Sequence, residues 1–143
     1  MSSGLEDIFP EDFLEEHAQN KVVAESIIVL QIPQFNLTYD KFVVLMTSSL
    51  DGDEICAVCI NTNPSPRGNH VVVTSADYDF LDYDSHIDCG SVVSFKKAYL
   101  KELLRAEPGR YKGALGEPEY IDVLLKLSQS ETIPPEQIEK FNL

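Results

Sequence analysis

The chain of 143 residues contains no tryptophan, two methionines, three cysteines and three histidines. Each shortage excludes something. Three cysteines cannot form a fully paired disulfide framework, and a chain of this length does not need one, so a reducing, cytoplasmic setting is expected. No apolar run exceeds a handful of residues, so no membrane span is predicted. Met1-Ser2-Ser3-Gly4-Leu5-Glu6-Asp7 lacks the basic segment and apolar core of a secretory signal. Glycine-rich phosphate loops and Gly-x-Ser-x-Gly nucleophile elbows are absent, and no cofactor is expected.

Basic residues are also scarce. Eleven lysines and arginines face 24 acids, for a formal net charge of −13. A field of that sign repels phosphate backbones at long range, which argues against non-specific nucleic-acid binding. The charge is unevenly spread. Residues 1–25 carry seven acids against Lys21 alone, whereas Lys96, Lys97, Lys101, Arg105, Arg110 and Lys112 fall within seventeen residues. Lys97, Lys101 and Arg105 recur every four residues. On a helix they share one face, a candidate binding surface for a protein partner.

What is present is a chain of one-domain size with 43% hydrophobic residues in alternating patterns. Residues 5–19 read as an acidic amphipathic helix interrupted at Pro10, part of an arm covering residues 1–25. Residues 26–143 form the main domain. Ser26–Gln31, Lys41–Thr47, Glu54–Thr62 and His70–Thr74 read as strands rich in β-branched residues. Asp51-Gly52-Asp53 is a hairpin turn, and residues 33–39 and 61–69 are loops. Ile55–Ile60 is apolar at every position, as in a central strand. Cys56 and Cys59 there would point to opposite faces as small hydrophobes.

From Ala76 to Cys89 the chain holds five aspartates and His86. Asp77 and Asp79 share one parity; Asp82, Asp84, His86 and Asp88 share the other. A bend near Phe80-Leu81 is predicted, followed by a strand to Cys89. Acids split between faces cannot converge on one cation, so no metal site is expected; a charged, aggregation-resistant strand face is the better reading. Val92-Val93 adds a short strand. Helices follow over Ser94–Arg105, with Ser94 as N-cap, over Glu117–Gln129, and from Pro134 or Pro135 to Phe141. No spacing links His17, His70 and His86 to one another. The order of strands then helices predicts an α+β fold: a small, mostly antiparallel barrel with C-terminal helices.

Several phrases resemble the PemK/MazF-like toxin superfamily. Ser26-Ile27-Ile28-Val29-Leu30, Phe42-Val43-Val44-Leu45 and Cys56-Ala57-Val58-Cys59-Ile60-Asn61-Thr62 are similar to its first three strands. Phe80-Leu81, Asp84-Ser85-His86-Ile87-Asp88-Cys89 and Ser130-Glu131-Thr132-Ile133-Pro134 are similar to segments of PemK-like bacterial and phage-associated proteins. The resemblance, over roughly residues 26–140, implies an SH3-like barrel. It also implies metal-independent RNA cleavage through the ribose 2′-hydroxyl, an antitoxin-like protein partner and homodimerisation. Thr62 falls where the family has its catalytic Thr or Ser. Asp40-Lys41 stands where the toxins carry Arg-Pro, so Lys41 takes the place of the arginine without its bidentate fork. The candidate catalytic set is therefore Lys41, Thr62 and His86, with His86 as the acid–base group. The competing expectation is a non-enzymatic interaction module on the same fold.

Overall fold

In the computed structural model the described residues are all except Met1, residues 33–38 and residues 65–68; for residues 2–11 the backbone alone is described. The loops predicted at 33–39 and 61–69 fall partly outside this set. The element order is α1 (Ser2–Lys21), β1 (Ser26–Leu30), β2 (Lys41–Ser48), β3 (Glu54–Asn61), β4 (His70–Val73), β5 (Ser85–Asp88), β6 (Val93–Lys96), α2 (Lys97–Ala106), β7 (Tyr111–Ala114), α3 (Glu117–Ser128) and α4 (Pro135–Phe141). A 3-10 turn, Pro108–Arg110, precedes β7.

The seven strands of the described residues form one curled antiparallel half-barrel, six of them in the order β4-β5-β3-β2-β1-β7 and β6 joining β3 off this path. β3 is its axis. One edge pairs with β2; the other is shared, with β6 along Glu54–Ala57 and β5 at Ile60 and Asn61. A strand with partners on both edges and cover on both faces reads as an unbroken apolar run, and Ile55–Ile60 is buried throughout.

Alternation along the strands builds two cores. Ile27, Val44, Met46, Cys56, Val58 and Ile87 face α3 and α4, where they meet Val123, Leu127, Ile133 and Phe141. Ile28, Val43, Leu45, Ala57, Cys59 and Phe95 face α1 and α2, where they meet Ala18, Val22, Leu100 and Leu104. Cys56 and Cys59 thus enter opposite cores. Burying a leucine or phenylalanine side chain of this kind contributes about 1.5–3 kcal/mol.

Irregularities fall where helices dock. The β2–β3 register shifts between Leu45 and Ser48, and such a bulge frees backbone groups for other partners. Tyr120 of α3 donates its hydroxyl to the Met46 carbonyl at 2.8 Å, and Thr47 donates to the Phe141 carbonyl at 2.6 Å. At the Asp-Gly turn Gly52 takes φ +78°. Asp51 there accepts from the Ser49 hydroxyl at 2.6 Å and the Asp53 N–H at 3.0 Å, and the Ser49 bond leads in holding its carboxyl below the usual range.

Four elements differ from expectation. α1 is a single helix where the sequence predicts a break at Pro10, and its last turns are anchored by Ala18 and, just beyond, Val22. Ser94 is not a helix cap: it pairs with Cys56 in β6, and α2 begins at Lys97. Tyr111–Ala114 forms β7 against β1, a strand too short and too basic to show as a periodic pattern. The strand predicted from Asp82 is confined to Ser85–Asp88. Among the described residues, no helix is long and apolar enough to cross a membrane.

Candidate functional site

Beyond the cover of α1 and α2, the same sheet face turns polar. Register explains how. Phe42 pairs with Ile60 and Val43 with Cys59, so Lys41 falls beside Asn61, and Lys41 Nζ donates to Asn61 Oδ1. On its other side Asn61 pairs with His86. His86 in turn pairs with Val72, and His70 pairs with Asp88. One row across the sheet therefore reads Lys41–Asn61–His86–Val72, with His70 and Asp88 one step along the strands.

His70 and His86 occupy diagonal positions on β4 and β5, within reach of ring contact. Their ring centroids lie 4.8 Å apart at 84°, edge to face. Each ring turns Nδ1 inward, where it meets no hydrogen-bond partner among the described residues. An enclosed polar atom left unmatched costs about 1–3 kcal/mol and calls for a compensating role. Opposite parity sends Val71 and Val73 into the α3/α4 core, which fixes β4 so that His70 and Val72 face the other way.

Cys59 lies on the same face. Burial pushes its thiol up to about 11; Lys41 opposes that rise and Asp88 adds to it. Cys59 is therefore a protonated hydrophobe near neutral pH, not a nucleophile. The Asp88 carboxylate is engaged locally, accepting from the Gly90 N–H at 2.9 Å and the Ser91 hydroxyl at 3.1 Å. Other aspartates of this segment also close turns. Asp77 accepts from the Thr74 hydroxyl at 3.0 Å, and Asp84 accepts from the Ser75 N–H at 3.0 Å. No group of three histidine, cysteine or acidic side chains suited to a metal ion occurs among the described residues.

The predicted site residues separate into groups. Lys41 and His86 are brought together, on either side of Asn61. Thr62 lies one residue past the end of β3 and is exposed, at the rim of the row rather than within it. Asn61 and His70 are the residues that sequence reasoning missed; Asn61 is placed between Lys41 and His86 by register alone, and nothing in the spacing tied His70 to His86. Asp40, next to Lys41, is drawn away by Arg110, which donates Nη1 to its carboxylate at 3.2 Å and to the Val29 carbonyl at 2.9 Å. Lys97, Lys101 and Arg105 lie elsewhere, on α2. Lys101 and Arg105 line a cleft with Glu15 and Gln19 of α1, and Arg105 is held by Glu102 in a two-pronged pair at 2.8 and 3.1 Å. Arg105 thus turns to one of the chain's own acids.

Two phrases quoted for the family resemblance meet in space. The Thr132 hydroxyl donates to the Gly90 carbonyl just after β5, and Ile133 is buried in the α3/α4 core. No protein-family model matches the chain, and no curated protein matches it in sequence.

Proposed function

We propose that this protein is a PemK-like, SH3-like barrel that cleaves RNA without a metal ion, in the cytoplasm, where its three free thiols stay reduced. The reading is carried by one observation: a lysine and a histidine flank Asn61 in a single cross-strand row of half-buried polar side chains. Attack of a ribose 2′-hydroxyl on the adjacent phosphorus needs a base for the hydroxyl proton and a cation for the charge gathering on the phosphoryl oxygens. His86 supplies the first. Lys41 supplies the second, with the Asn61 amide holding the ammonium in place. Thr62, at the rim, contacts the substrate strand.

Incubation of the purified protein with structured and unstructured RNA, with and without chelator, tests this. Cleavage is expected to survive chelation, to fall by about 10²–10⁴ in His86→Ala and to fall strongly in Lys41→Ala. A Thr62→Ala variant is expected to lose less. Cleavage unchanged in both Lys41→Ala and His86→Ala rejects the site.

A second reading, a non-enzymatic interaction module, draws on a different surface. Ile121 and Leu125, one turn apart on α3, are 55% and 54% exposed, an apolar strip available to a protein partner. Absence of cleavage from any RNA would favour it.

A further inference from the structure

We infer that His70 is the second proton-transfer group of this site, acting as general acid toward the departing 5′-oxygen while His86 acts as base. The inference rests on the ribonuclease reading above and names a residue which that reading does not require.

Phosphodiester transesterification moves two protons. The 2′-oxygen forms a bond to phosphorus as its proton passes to one group; the P–O5′ bond breaks as a second group delivers a proton to O5′. The products are a 2′,3′-cyclic phosphate and a free 5′-hydroxyl. Phosphorus keeps its oxidation state, and no water is consumed. The protein ends with a proton moved from one side chain to the other, restored by exchange with solvent. A single histidine cannot be both proton acceptor and proton donor on opposite sides of one phosphorus, so a partner must lie close by.

Among the described residues, the ionisable neighbours on this face leave one candidate. Cys59 is buried and protonated. Asp88 is an acceptor whose two oxygens are engaged by Gly90 and Ser91. Lys41 donates to Asn61. His70 remains, with its ring 4.8 Å from that of His86. The 84° angle between the planes aims the two rings in different directions, and no hydrogen bond joins them, so each is free to serve a separate oxygen of one phosphodiester. The roles are assigned by place in the row. His86 pairs with Asn61, which also holds Lys41, and so stands on the side of the cation. His70 pairs with Asp88 one step along the strands, on the far side of His86 from Lys41.

The test uses two substrates: an RNA that the wild type cuts, and the same RNA with sulfur bridging at the 5′ position of the cut linkage. A thiolate leaves without a proton, so the second substrate has no need of a general acid. His70→Ala is expected to lose about 10²–10⁴ on the natural linkage and to remain within about tenfold of wild type on the sulfur linkage. His86→Ala is expected to lose on both. His70→Asn serves alongside, with thermal unfolding followed for each variant. Equal loss on both substrates in a folded His70 variant, or no loss on either, overturns the inference while leaving the ribonuclease reading intact. A wild type that cuts no RNA overturns the two together.

Discussion

Leu104 and Leu127 test whether the sheet separates two independent cores. Both are fully buried, Leu104 against the α1/α2 face and Leu127 against the α3/α4 face, in clusters that share no residue. Truncation to alanine removes three buried carbons and leaves a cavity that close-packed surroundings only partly fill, at about 2–5 kcal/mol each. Between the two sites stands a sheet whose central strand is buried throughout, so no side chain can relax into both cavities. Sites without shared partners add to within about 0.5 kcal/mol. Urea unfolding of Leu104→Ala, Leu127→Ala and the double variant is expected to give a double loss equal to the sum of the singles. Domains of this kind have only about 5–15 kcal/mol to lose, so a milder cycle accompanies it. Ile28→Val and Ile87→Val, also fully buried on opposite faces, should cost about 0.5–1.5 kcal/mol each and add likewise. A coupling above about 1 kcal/mol in either cycle would refute the two-core arrangement.

The three thiols are all pushed above their ordinary range by burial, Cys59 to about 11 and Cys89 to about 12. Native protein should therefore alkylate slowly with iodoacetamide at pH 8 and rapidly in denaturant. By the same linkage the unfolded chain, whose thiols ionise near 9.0, loses protons that the folded chain retains, so stability falls as pH rises from about 9 towards 11. For Cys59 alone the loss is roughly 2–3 kcal/mol, and a Cys59→Ala variant should show a correspondingly shallower decline in urea unfolding. Tyr120→Phe leaves the Met46 carbonyl without its donor and should cost about 1–3 kcal/mol by thermal unfolding, with no change in RNA cleavage. If Lys41 is the main phosphate contact, RNA affinity should fall only about threefold between 50 and 200 mM salt; engagement of Lys97, Lys101 and Arg105 together would give a fall of about twentyfold.

The sequence by itself determined the elements whose signal is local. Ile55–Ile60 could only be a strand covered on both faces, because no position in it tolerates water. Asp51-Gly52 could only be a tight turn, because the left-handed backbone at Gly52 suits a residue without a side chain. Parity alone sent Cys56 and Cys59 into opposite cores and put His86 and Asp88 together on the polar side of their strand. Long-range pairing was another matter. Ser94 looked like a helix cap because its neighbours on the chain permit one, but four residues of β6 gain more by pairing along the open edge of β3. Tyr111–Ala114 carries no periodic signal, and only the free edge of β1 makes it a strand. The candidate site depends on the same kind of information. Lys41, Asn61, His70 and His86 come from four strands, and their meeting is set by three registers: β2 on β3, β3 on β5, and β4 on β5. A shift of one residue in any of them would send a side chain to the opposite core. Sequence shows which residues alternate. Which of them stand beside each other is decided by packing on both faces of the sheet, and that information is distributed over the whole chain.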